Sequence, residues 1–146
     1  MPDNPNGEPG TVETLLDSTL DSVDRAEDMV LDLARATGFG DEDLHKIGIA
    51  VRESVVNAVV HGNRYSARKK VRLSASLNRH GLTVRVADEG DGFDPSSLPD
   101  PLAGENLLRQ SGRGLLLIRA FVDDLAVRRL APAGTEVTLV KHLHHS

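Results

Sequence analysis

Glu53 and Asn57 are the first side chains whose types and spacing could do chemistry. They lie four residues apart in a segment with helical periodicity, so both project from one helix face. Ile49, Val56 and Val60 share that face, and they cannot solvate a carboxylate or a carboxamide. A buried polar group without a partner costs about 1–3 kcal/mol. A bound metal or ligand would be one partner, and neighbouring backbone or a basic residue is the alternative.

Asp88 and the glycines that follow it form a second candidate, in the segment DEGDGF. Asp88 has the same strand parity as Val84 and Val86, so its carboxylate should point into their apolar layer. A buried carboxylate needs hydrogen-bond donors, and the exocyclic amine of a purine is one. Gly90 and Gly92 would let the backbone turn tightly and approach a flat ring closely. The alternative is an ordinary turn between two elements.

A third candidate is the segment SGRG at residues 111–114, which stands at the start of a predicted helix. Free backbone N–H groups and the positive end of the helix dipole make an anion site there, and the arginine adds a charged fork that suits phosphate. A simple junction between loop and helix is the alternative. The candidate contacts are Ser111, Gly112, Arg113, Gly114 and Leu115.

Two further side chains are placed near these segments by their positions in the predicted elements. His61 follows Asn57 by about one helical turn and is a candidate for ligand contact, with a cap of the helix end as the alternative. Thr135 shares strand parity with Val137, so it should point to the inner layer. There it could hydrogen-bond a base or Asp88.

The elements that must position these residues are helices and strands in separate groups. Hydrophobic spacing predicts helices at residues 18–37, 41–63 and 112–122, with Ser18 or Ser22 as cap of the first and Asp41 of the second. Alternation predicts strands at 11–16, 71–77, 82–86, 125–130 and 135–140, the last four as two hairpins. This grouping indicates an α+β fold, a two-layer sandwich whose mixed, mostly antiparallel sheet is covered on one face by helices.

Composition and charge narrow the class of protein. A length of 146 residues fits one domain, which we expect at 11–141 between flexible tails at 1–10 and 142–146. The net charge of −5 argues against a direct nucleic-acid partner. There is no cysteine, no visible signal peptide and no apolar run near the ~18 residues that cross a bilayer. We therefore expect a cytoplasmic protein without membrane contacts.

In chain order, four short motifs resemble the N, G1, G2 and G3 boxes of one ATPase superfamily, which includes gyrase, heat-shock chaperones, histidine kinases and mismatch-repair proteins. They are ExxxN at 53–57, DxGxG at 88–92, GxG at 112–114 and GT at 134–135. The match spans nearly the whole chain and looks closest to the bacterial anti-sigma factor serine-protein kinases of the RsbW and SpoIIAB type. The segments SVVNAVVHGN at 54–63 and SGRGLLLI at 111–118 are especially similar to that family.

The resemblance implies a histidine kinase-like (GHKL) ATP-binding domain of Bergerat type, with ATP and Mg²⁺ as cofactors. In such a domain Asn57 would ligate the Mg²⁺ that bridges the phosphates, and Asp88 would receive the adenine amine. The turn at Gly112 would hold the phosphates. Glu53 would be the general base that takes the proton from an attacking hydroxyl.

The function that the resemblance implies is that of an anti-sigma factor with ATP-dependent serine-protein kinase activity. Its partners would be a sigma factor and an anti-anti-sigma protein with a STAS domain, whose serine accepts the phosphoryl group. The resemblance also favours a homodimer. The alternative is a catalytically silent ATP-binding module that regulates by partner binding alone.

Overall fold

The fold is a two-layer α+β sandwich, as predicted, in a computed structural model that describes residues 10–90 and 114–143. Helices α1 and α2 pack on each other and on one face of a sheet, and α3 packs on α2. The helices are α1 Asp21–Arg35, α2 Asp41–Val56 and α3 Gly114–Phe121, and α2 continues as a π-helical turn, Asn57–Gly62. The strands are β1 Gly10–Asp17, β2 Lys70–Asn78, β3 Gly81–Ala87, β4 Asp124–Arg129 and β5 Thr135–His142.

The sheet has the strand order β1-β2-β3-β5-β4 within the described residues. Both predicted hairpins are present, as the pairs β2–β3 and β4–β5. The predicted sheet was mixed and mostly antiparallel, and each of the four pairs in this part of the chain is antiparallel. Pairing of β3 with β5 sets Val86 opposite Val137 and brings the end of β3 beside the start of β5.

The core lies between the helices and the inner face of the sheet. Strand alternation decides which residues enter it, because every second side chain on β2 and β3 faces the helices. Few aromatics are available, so small aliphatic side chains fill the space. The fully buried ones include Val30, Val51, Val55, Val71, Leu73, Leu77, Leu82, Val84, Leu115 and Ile118.

The predicted side-chain caps of the first two helices are wrong. Ser18 donates its hydroxyl to the carbonyl oxygen of Lys69, so it is used across the sheet edge. Ser22 lies inside the first turn of α1, and its hydroxyl donates to the Asp17 carbonyl oxygen over 2.7 Å. Asp41 is the first residue of α2 rather than its cap. Its negative charge there interacts favourably with the positive end of the helix dipole.

The ordered strands reach one residue further at each end than the predicted domain of 11–141. β1 begins at Gly10 and β5 ends at His142. The predicted tails otherwise fall on residues 1–9 and 144–146, which lie outside the described residues, as does the segment 91–113. Among the helices that the structure describes, none has the length and apolar character that a membrane span requires.

Gly134 precedes β5, and both its backbone conformation and its contact with Asp88 require a glycine at this position. Its φ is +115°, a conformation that residues with a side chain rarely adopt. A Cβ at this position would lie 2.1 Å from the carbonyl oxygen of Asp88. The turn therefore has to be glycine so that the start of β5 can reach the end of β3.

We expect Gly134→Ala to lower the free energy of unfolding by at least about 2 kcal/mol, because it adds backbone strain and a backbone clash together. The matched control is Gly40→Ala, since Gly40 has no neighbour within 4 Å of an added Cβ. Urea denaturation of both variants measures the difference. Equal stability of the two variants would contradict this description of the turn.

Candidate functional site

Asp88 lies at the end of β3 and is buried, with 8% of its surface exposed. This confirms the inward direction predicted from strand parity. Its Oδ1 accepts hydrogen bonds from the backbone N–H of Gly90 at 3.0 Å and of Thr135 at 3.2 Å. Its own N–H donates to the Thr135 carbonyl oxygen over 2.9 Å. The carboxylate is thus fixed by the loop after it and by the first residue of β5.

Burial raises the pKa of Asp88 from 3.8 to about 6. The hydrogen bonds from Gly90 and Thr135 and the charge of Lys69 act in the opposite direction, and the charge of Glu89 adds to the rise. Near neutral pH the group is therefore ionised and can only accept hydrogen bonds. A ligand that brings a donor to this carboxylate would compensate part of its burial.

The π-helical turn at the end of α2 packs directly on Asp88. The Asn63 N–H donates to the Ala58 carbonyl oxygen five residues earlier, over 2.7 Å, which is the bond of a π-type turn. A Cβ on Gly62 would lie 2.2 Å from Asp88 Oδ2, and one on Gly90 would lie 1.7 Å from the Gly62 carbonyl oxygen. The close approach at Gly90, predicted toward a flat ring, is made within the described residues to the backbone of Gly62.

Glu53 and Asn57 meet the start of α3. A Cβ built on Gly114 would lie 3.2 Å from Asn57 Oδ1 and 3.2 Å from Glu53 Oε2. Asn57 Nδ2 is buried and has no hydrogen-bond partner among the described residues. Such an atom is costly unless something else bonds to the amide, so the group is suited to a ligand or ion at this place.

These residues surround one cavity between the π-helical turn, β3, β5 and α3. Its empty volume is about 370 Å³, counted with the space at its mouth. It is lined by Ser54, Asn57, Ala58, His61, Gly62, Val86, Asp88, Leu115, Thr135 and Val137.

The structure brings together most of the residues singled out in the sequence. Asn57, His61, Asp88, Leu115 and Thr135 line the cavity. Thr135 does bond Asp88, through its backbone N–H. Three more of these residues do not line the cavity but contact residues that do. Glu53 and Gly114 adjoin Asn57, and Gly90 packs against the backbone of Gly62. The predicted contacts Gly92, Ser111, Gly112 and Arg113 lie outside the described residues.

Sequence reasoning did not single out the cavity walls. Val86 and Val137 face each other across β3 and β5, and their inward parity was the signal for them. Gly62 was visible as a residue without a side chain on the buried stripe of α2. No sequence pattern pointed to Ser54. It lines the cavity, and its hydroxyl donates to the Ala50 carbonyl oxygen over 2.8 Å.

The two ends of the cavity favour different chemistry. Apolar walls around one ionised acceptor suit a flat heterocycle with an exocyclic donor. The other end has the Glu53 carboxylate, the unpartnered Asn57 amide and the N-terminus of α3. These groups suit an anionic ligand that is bound together with a cation. The described residues contain no cluster of three or more His, Cys, Asp or Glu that could hold a metal. A cation here would depend on Asn57 and on oxygens of the ligand.

Comparison with known proteins gives consistent matches. Residues 16–141 match the family model of the histidine kinase-like ATPase domain. The anti-sigma F factor of Bacillus subtilis (strain 168) is 33% identical over 107 residues, which cover 72% of this chain and 73% of that protein. The anti-sigma F factor of Clostridium perfringens (strain 13) is 30% identical over 105 residues, or 70% of this chain and 75% of that protein.

A solved structure shares the fold. The RsbU and RsbW domains of a Mycobacterium tuberculosis protein superpose on 94% of this chain with a TM-score of 0.68 and 21% identity. The match covers 33% of that longer chain. These matches confirm the resemblance seen in the motifs. By the span of the family match and the identity to its relatives, the chain belongs to the histidine kinase-like ATPase domain family.

Proposed function

We propose that this chain binds ATP with Mg²⁺ and is an anti-sigma factor that phosphorylates a serine of an anti-anti-sigma protein. The observation that carries the proposal is the buried carboxylate of Asp88 in a cavity at whose other end Asn57 adjoins Glu53. An adenine and its phosphates need two such environments in one site, one apolar with an acceptor and one polar.

At the apolar end, Asp88 accepts a hydrogen bond from the exocyclic amine of adenine. Two backbone N–H groups already bond Oδ1, and Oδ2 packs against Gly62, which also lines the cavity. Val86 and Val137 give the ring an apolar surface from the sheet side. A charge-assisted bond in such surroundings favours a base that donates at this position over one that accepts there.

At the polar end, Glu53 acts as the general base for the attacking serine hydroxyl. Its Oε2 lies beside Gly114, at the start of α3, where the helix dipole favours phosphate oxygens. Asn57 would hold Mg²⁺ through its Oδ1, while its unpartnered Nδ2 would donate a hydrogen bond to a phosphate oxygen. Mg²⁺ supplies positive charge that offsets the negative charge on the transferred phosphoryl group. His61, exposed at the cavity, adds a polar contact near the mouth.

The names of the relatives support a sigma factor as one partner. Proteins named anti-sigma F factor match about 70% of this chain, and their name states a sigma factor as the target. We therefore assign a sigma factor as a partner of this chain. The STAS-domain protein that accepts the phosphoryl group is the partner implied by the resemblance of the motifs. The homodimer and the cytoplasmic location stay predictions from the sequence.

The kinase proposal predicts that Glu53→Gln transfers phosphate to a STAS partner at least about a hundredfold more slowly than the wild type, because the base is lost. Binding of ATP should change little, by less than about fivefold, since the side chain keeps its size. Single-turnover transfer from labelled ATP and calorimetric titration measure the two effects.

The control for this experiment is Glu42→Gln, which changes an exposed acid in the first turn of α2. It should transfer phosphate like the wild type. Equal transfer rates for Glu53→Gln and wild type would refute the base. ATP binding without transfer to any STAS partner would favour the silent regulatory module instead.

The adenine proposal predicts a pH dependence of ATP affinity. Asp88 has a raised pKa of about 6, so its carboxyl takes up a proton as the pH falls through that value and loses its charge-assisted acceptor. Affinity is therefore full above pH 6 and falls below it, up to about tenfold per pH unit.

Calorimetry at about pH 5 and about pH 7.5 measures this change, with the chain folded at both values. Asp88→Asn is the control, because it shares the protonation of ATP itself but has no titrating group at residue 88. It should bind ATP weakly at both values. A wild type with the same pH response as Asp88→Asn would contradict the assignment of Asp88.

A further inference from the structure

Asn63 is a buried polar residue that lines no part of the cavity and has no role in the proposed function so far. It follows the π-helical turn directly and is 2% exposed. Its backbone N–H closes that turn on the Ala58 carbonyl oxygen. Its side chain points away from the turn, into the junction between the start of β2 and the loop after β3.

The carboxamide of Asn63 bonds three segments that are distant from one another in sequence. Its Nδ2 donates to Ser18 Oγ over 2.9 Å and to the Lys70 carbonyl oxygen over 3.0 Å. Its Oδ1 accepts the backbone N–H of Glu89 over 2.8 Å. Both donor hydrogens and the acceptor are used, so the amide has one orientation and holds all three segments in register.

The bond to Glu89 affects the cavity indirectly, through the neighbouring residue Asp88. Glu89 is the residue after Asp88, and its carboxylate in turn accepts the Lys70 N–H. Thr135 therefore fixes the Asp88 carboxylate directly, and Asn63 fixes the peptide that follows Asp88 through its bond to Glu89. Without the Asn63 bond, the Glu89 N–H would be free to turn, and the peptide that carries the carboxylate could rotate with it.

We propose that Asn63 is a positioning residue for base recognition: its amide fixes the loop so that the Asp88 carboxylate meets the exocyclic amine of adenine. This inference rests on the proposed ATP binding. A residue that only stabilises the fold would weaken all ligands alike, whereas a residue that aims the carboxylate changes the preference among bases. The preference is therefore the quantity to measure.

Inosine triphosphate is the matched probe, because it has the sugar and phosphates of ATP but a carbonyl in place of the exocyclic amine. Calorimetry with each nucleotide gives two dissociation constants and their ratio. We expect the wild type to prefer ATP, and Asn63→Ala to reduce that preference roughly tenfold, the loss that a misplaced charge-assisted hydrogen bond produces.

Two further variants separate aiming from stability. Asn63→Ser keeps a polar group but is one bond too short to reach the Glu89 N–H, so it is the milder change and should lose the same preference. Val30→Ala removes methyl groups from a fully buried position in α1 that lines no part of the cavity. It should lower the melting temperature and leave the ratio unchanged.

The outcomes are distinct. A wild type that binds no ATP refutes the proposed function itself. A wild type that prefers ATP, with folded Asn63→Ala or Asn63→Ser variants of the same preference, refutes only the role of Asn63. A loss of preference in Val30→Ala equal to that in the Asn63 variants would also overturn it, because any loss of stability would then suffice.

Discussion

The burial of one carboxylate, that of Asp88, is the constraint on which the site depends. Raising its pKa from 3.8 to about 6 means that the ionised form costs the folded protein about 3 kcal/mol at neutral pH. That cost remains after two backbone N–H groups have already offset part of the desolvation, and no side chain in the described residues donates to the carboxylate in the hydrogen bonds of the structure. A fold keeps such a group when a ligand uses it, as adenine would here.

Three glycines allow the surrounding segments to converge on this carboxylate. A Cβ on Gly62, Gly90 or Gly134 would lie between 1.7 and 2.2 Å from Asp88 or from the backbone that holds it. The π-helical turn, the loop after β3 and the turn before β5 can therefore close around one side chain. The approach at a fourth glycine, Gly114, is looser, because a Cβ there would lie 3.2 Å from the Asn57 and Glu53 side chains at the polar end of the cavity.

Features that follow from hydrophobic periodicity and from the order of the motifs could be predicted from the sequence. Features that follow from contacts between residues distant in sequence could not. Alternation gave the strands and the inward direction of Asp88, and the family motifs gave the residues that the fold brings together. The capping roles of Ser18 and Asp41 were wrong, because the Ser18 hydroxyl bonds the Lys69 carbonyl oxygen far along the chain and Asp41 already lies inside α2. Asn63 escaped for the same reason, since its three partners are visible only once the segments are adjacent.

The most direct test of adenine recognition by Asp88 is a crystal structure of the protein with Mg²⁺ and a non-hydrolysable ATP analogue. We predict the exocyclic amine within hydrogen-bond distance of Asp88, the ring against Val86 and Val137, and the phosphates beside Asn57 and Gly114. A nucleotide bound without contact to Asp88, or a base turned away from Asp88, would contradict it.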